Sequence, residues 1–203
     1  WPTFKDWPAP DSLTHEGTYY KWMERAWQGG LRLFVNLLVE NNKLCQIYPL
    51  KKNSCDDMDS IRLQAHDMRL LERYIDAQYG GPGKGWFRIV KDPAQARSVI
   101  AEGKLAVIPG LEFSNLFHCR VQFLPDGSET SDCTKEDIDR QIDEVWELGV
   151  RELFPYHDVD SALGGTGIFN GDVLNLVGFY GTGHFWETYD CPDGGEGETY
   201  FYD

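Results

Sequence analysis

Residues 103–113 read GKLAVIPGLEF, and this stretch decides the fold. Leu105, Ala106, Val107, Ile108 and Leu111 make a short apolar run between a turn glycine and a carboxylate, Glu112. Such a run reads as a strand over 104–111 that is covered on both faces. Strands of that kind belong to parallel sheets, whose crossover helices bury both sides.

Working outward from it, the neighbouring segments alternate in type. Asp92-Pro93 opens a helix, with the aspartate as cap and the proline at the first position, running to about residue 102. FRIV at 87–90 is a short strand. Ile61, Ala65, Met68, Leu71 and Ile75 recur every three or four residues and predict a helix over 57–79. LRLFVNLLV at 31–39 is a second apolar run, read as a strand covered on both faces. A helix beginning at Thr14 or Thr18 precedes it, with Tyr19, Trp22, Met23, Ala26 and Trp27 on one face and Gly29-Gly30 as its stop.

On the other side, Thr134 with Asp137 three residues on starts a helix whose inner face is Ile138, Ile142, Val145 and Trp146 and whose end is Gly149. VRELFPYH at 150–157 is another strand, and one short helix is expected near 172–179. Strands separated by helices predict an α/β fold with parallel strands, either an open sheet or a TIM-like (β/α)8 barrel. Four strands fall short of a closed barrel, which takes about 250 residues, so a partial barrel is the expected form. The organisation reads as an extended arm over 1–13, rich in proline, a barrel portion over 14–190 and an acidic, flexible tail over 191–203.

The formal net charge is −14, which repels phosphate backbones and removes nucleic acid as a partner. No run of 18 apolar residues is present, so no membrane-spanning segment is expected. The five cysteines form no CxxC, which disfavours a zinc ribbon or a thioredoxin-like site. Cys45 with Cys55, and Cys119 with Cys133, each bracket a polar, turn-rich loop, as disulfides do in secreted proteins. Cys191 is left over and points to a partner outside the stretch. The chain opens at Trp1 without a basic leader, which is expected of a processed protein or an excised fragment.

In either α/β architecture the chemistry sits at the carboxyl ends of the strands. Strand 31–39 leads into Glu40, Asn41 and Asn42; strand 104–111 into Glu112, Ser114 and Asn115; strand 150–156 into His157, Asp158 and Asp160. Carboxylate and imidazole together suit general acid–base work or a divalent metal such as zinc or manganese. Asn41, Asn115 and Asp158 are expected to contact a small-molecule or peptide-like substrate. YGGPGKGW at 79–86 imitates a phosphate loop but has Gln78 where its first glycine belongs and Gly85 where Ser or Thr should bind magnesium. It reads instead as a helix-to-strand turn. No GxSxG is present.

YYKWMERAWQGGLRLFVNLLVENN, GKLAVIPGLEFSNLF and ELGVRELFPYHDVDSALGG resemble secreted bacterial proteins related to the membrane dipeptidases, metal-dependent amidohydrolase-like TIM barrels. The resemblance runs from about Trp1 to Cys191. It implies that Glu112, in PGLE, bridges two zinc ions and that His157, in FPYH, contacts substrate near them. The ions would activate a water against an amide carbonyl. The family's first-strand metal pair has no counterpart here and is expected upstream of Trp1; further metal histidines and an acidic base are expected downstream of Asp203. A second segment tethered through Cys191 would complete the site. The competing reading is a barrel without catalysis that binds carbohydrate or another ligand, or serves as a scaffold. It draws on seven tryptophans, most of them on expected core faces.

Overall fold

The centre of the fold is a nine-residue strand, β3 (Leu105–Phe113), in a computed structural model that describes residues 19–157, 159–166 and 171–186. Around it, in chain order, lie α1 (Tyr20–Gln28), β1 (Leu33–Glu40), α2 (Asn42–Ile47), α3 (Asp57–Gln78), β2 (Phe87–Ile89) and α4 (Pro93–Ala101). β4 (Val121–Phe123), β5 (Glu129–Ser131), α5 (Lys135–Leu148), β6 (Glu152–Phe154) and α6 (Gly171–Thr182) follow. The expected arm, the tail, Cys191 and Asp158 lie outside the described residues, as does the expected helix start at Thr14 or Thr18.

β3 pairs in parallel on both edges. β1 runs along one edge, from Leu33 beside Ala106 to Glu40 beside Phe113. Two short strands share the other edge: β2 against Leu105, Ala106 and Val107, and β6 against Gly110, Leu111 and Glu112. Pro109, which has no N–H to donate, falls at the seam between them. Its carbonyl still accepts the Arg151 N–H at 2.9 Å. β4 and β5 form a separate antiparallel hairpin. The result is a mixed α/β fold on a parallel sheet.

α3 and α5 lie on one face. Met58, Ile61 and Ala65 of α3 and Val145 of α5 share a core with Leu38, Leu111 and Phe113. α3 starts where the Asp56 carboxylate accepts the Asp59 N–H at 3.0 Å. α5 starts on a full capping box between Thr134 and Asp137 and stops at Gly149, whose φ of 101° is left-handed. Further along the same side, Met68 and Ile75 pack with Trp86, Phe87, Leu105 and Val107, and Trp27 stacks on Trp86 at 5.5 Å. On the opposite face α4 covers only the amino-terminal half of β3, where Val90, Ala96 and Ala106 meet.

Several expectations need correction. β1 is not covered on both faces: Leu33, Val35 and Leu37 are exposed, because among the described residues β3 is its only strand neighbour and α3 packs on one side alone. The inner face of α5 is Ile138, Gln141 and Val145, while Ile142 and Trp146 are exposed. Gln141 turns inward because its amide donates to the Phe117 carbonyl at 3.1 Å; Trp146 stays outside beneath the Arg151 guanidinium, 3.5 Å from its ring centre. Among the described tryptophans only Trp86 is fully buried, and Trp22 is exposed like Trp146. The cysteine loops hold α2 and the β4–β5 hairpin, neither anticipated. Cys45–Cys55 and Cys119–Cys133 are disulfides. No described helix is long and apolar enough to cross a membrane.

Candidate functional site

Glu112 does not leave the sheet at the end of β3 but sits inside it, since the strand continues to Phe113. Strand alternation puts its side chain on the face that α3 and α5 leave open, two residues beyond Gly110. His157 follows β6 by three residues and returns over that face. Its Nε2 donates to Glu112 Oε1 at 2.9 Å. The imidazole also meets the Phe154 ring edge-on at 5.8 Å. The Glu112 side chain is 20% exposed and that of His157 36%, so the pair is half-sheltered yet reachable from solvent. A carboxylate that orients an imidazole on a strand-end surface can move a proton to or from a ligand.

A second carboxylate, missed by the sequence reading, lies on the same face. Glu152, beside Gly110 in register, tucks its Oε2 into the space that the glycine leaves. A Cβ at position 110 would stand 2.5 Å from that oxygen and 2.8 Å from Leu37 Cδ2. Among the described residues Oε2 is buried and accepts no hydrogen bond. The signal was present: a glycine inside a strand marks a place where another group must approach closely.

Beyond the carboxyl ends of β1 and β3 lies a cavity of about 210 Å³. Asn41, Asn42 and Lys43 wall it from the end of β1, and Ser114 and Asn115 from the end of β3. Val159 and Asp160, which follow His157, close a third side, with His118, Arg120 and Asp132 on a fourth. The two amides expected to contact substrate, Asn41 and Asn115, therefore line one cavity, and Ser114 joins them by accepting from Asn41 Nδ2 at 2.9 Å. Neither Glu112 nor His157 lines it, but the same two segments that carry them go on to form its walls.

Covalent bonds hold those walls. Cys45–Cys55 fastens α2, which carries Lys43, and Cys119–Cys133 closes the loop that carries Arg120 and Asp132, with His118 just before it. A hydrogen bond joins the two segments, His118 Nε2 donating to Asp56 Oδ2 at 2.8 Å. Phe117 and His118 hold left-handed φ values of 60° and 57°, costly for residues with a Cβ. Gln141 and the buried Cys119–Cys133 bond keep them there.

On the α3 side of the sheet, half-buried Glu40 lies near enough to Asp57 to act on its charge. Asp57 is fully buried, and among the described residues neither of its carboxylate oxygens has a hydrogen-bond partner. Burial, with the Glu40 and Asp56 charges adding to it, pushes its pKa to about 8. Burial also raises Glu40, against hydrogen bonds from Ser60 and the Asn41 N–H.

Among the described residues no three His, Cys, Asp or Glu side chains converge in a way that could hold a metal ion. Glu112, Glu152 and His157 thus do not by themselves fit the expected two-zinc centre. The glycine-rich turn after α3 is likewise not an anion cradle: Asp76 already accepts the Gly83 and Gly85 N–H groups at 2.8 Å each, and the Arg88 guanidinium at 2.6 Å. Of the remaining histidines, His66 is exposed, His184 packs on the Phe123 ring at 4.7 Å, and His15 lies outside the described residues.

Comparison with protein-family models, with curated proteins and with solved structures gives no match.

Proposed function

We propose that this chain carries part of a hydrolase of the membrane dipeptidase type, acting on an amide or peptide-like bond, with Glu112 and His157 as its acid–base pair. The observation that carries the reading is the 2.9 Å contact between His157 Nε2 and Glu112 Oε1 at the carboxyl ends of neighbouring parallel strands. Glu112 holds the imidazole in place, and His157 passes a proton to the leaving nitrogen or takes one from the attacking water.

A (β/α)8 barrel is part of the same proposal. β1, β3 and β6 are parallel neighbours in the sheet, and α3 and α5 both pack on one face of them, as the outer helices of a barrel do. The part of the other face that α4 leaves uncovered, around Gly110 and Glu112, would then be interior wall. Two disulfides and a net charge of −14 support a secreted protein. A zinc pair would supply Lewis-acid chemistry, but the described side chains do not complete its donor set, so no step is assigned to it. Completion by a segment joined through Cys191 belongs to the proposal too; a mass difference between reduced and unreduced native protein tests it.

The deciding experiment assays the native protein on a panel of dipeptides, with Glu112→Gln and His157→Ala beside it and with metal content measured before and after chelation. Loss of an acid–base pair lowers turnover by about 10²–10⁴-fold. A Glu112→Gln protein as active as its parent overturns the reading. The second reading, a barrel that binds without catalysis, is favoured by the walled cavity and by the missing third metal donor; ligand binding with no turnover on any substrate would select it.

A further inference from the structure

The cavity holds charges that its own neighbours do not finish. Arg120 is matched by Asp132 at 3.0 Å, whose other oxygen accepts from Gln122 at 3.2 Å. His118 is matched by Asp56. Asn41 and Asn42 spend their amide N–H groups on Ser114 and on the Cys55 carbonyl.

Two groups remain. Lys43 is half-buried and has no hydrogen bond or ion pair among the described residues. Asp160 uses one oxygen, Oδ1, to accept the Thr166 N–H at 2.9 Å, and its other oxygen accepts no hydrogen bond among the described residues. A cation therefore lines the cavity from the end of β1, and an anion lines it from the segment after β6. Among the described residues Lys43 and Asp160 do not pair with each other, so a ligand that carries both signs of charge satisfies both.

We infer that this cavity binds a small zwitterion of the α-amino-acid class, its carboxylate on Lys43 and its ammonium on Asp160. A volume of about 210 Å³ has room for several waters, and so for a small amino acid. The disulfides and the His118–Asp56 pair hold the walls before the ligand arrives, which lowers the ordering cost of binding. The inference goes beyond the hydrolase reading and does not depend on it, since no bond need be cleaved here.

The test is calorimetric titration of the oxidised native protein with glycine, L-alanine, acetate and methylammonium. Glycine and alanine should bind, while acetate and methylammonium, each carrying one of the two charges, should bind at least about tenfold more weakly. Lys43→Gln and Asp160→Asn should each weaken glycine binding by a similar factor. Asparagine keeps the Oδ1 acceptor for Thr166, and Lys43 leaves no buried partner behind, so both variants should melt with the parent. Glu112→Gln should bind glycine normally, so a failed hydrolase reading would leave this result intact. Equal binding of acetate and glycine, unchanged binding by Lys43→Gln, or no heat with any of the four would overturn the inference.

Discussion

Asp57→Asn should stabilise the protein, and by more as the pH rises. An aspartate whose pKa moves from 3.8 to about 8 on folding binds its proton more tightly in the native state. The native state thus holds more protons than the unfolded chain between those values, and stability from this group falls as pH climbs through that window. Each pK unit is about 1.36 kcal/mol, so the full fall is about 5–6 kcal/mol, of which about 4 kcal/mol is already lost at pH 7. Asparagine is neutral throughout and offers Glu40 a donor in place of a second acid. The assay is urea unfolding of parent and variant from roughly pH 5 to pH 9, read as the difference in midpoint free energy. That difference cancels carboxylates elsewhere that act with the opposite sign, such as Asp76. A variant no more stable than the parent at the alkaline end, or a difference flat with pH, would refute the reasoning.

Two further outcomes follow from single contacts. Gly110→Ala should cost about 1–3 kcal/mol, because its Cβ would collide with Glu152 Oε2 and Leu37 Cδ2; adding Glu152→Ala should recover a good part of that, and strict additivity in thermal melts would count against the contact. Asp76→Asn should cost about 1–3 kcal/mol near neutral pH by weakening the hold on Gly83, Gly85 and Arg88. Burial pushes the Asp76 carboxyl up, but the two N–H groups and Arg88 outweigh it and bring its pKa below 3.8, so its stabilisation is present above that value and disappears as acid titrates it; a parent-minus-variant difference that stays constant into acid would contradict this.

The sheet was legible because β3 opens on a continuous apolar run, the usual mark of a strand buried on both sides. The same signal misled at β1, where Leu33, Val35 and Leu37 look like core but face outward. A run of apolar residues cannot say which face a neighbour covers; that depends on where α3 lands. Short elements inside the cysteine loops were illegible because α2 and the hairpin draw their order from disulfides rather than from periodicity. At the site, Glu112 and His157 could be singled out as strand-end groups, yet their contact depends on β6 pairing beside β3, a long-range fact. Gly110 signalled a close approach but not by which group, and Glu152 was passed over because a charged residue opening a strand reads as solvated. Its seat is visible only once Gly110 is known to lie beside it.

The seam at Pro109 divides the far edge of the sheet into two patches that zip independently. The β2 patch is anchored by Trp86, Phe87 and the long α3, whereas β6 hangs on three register pairs with Leu153 and Phe154 exposed. The strand that delivers His157 is therefore the least covered part of that edge, where local opening costs least. Opening there would part the His157 imidazole from the Glu112 carboxylate while the β2 patch stays closed.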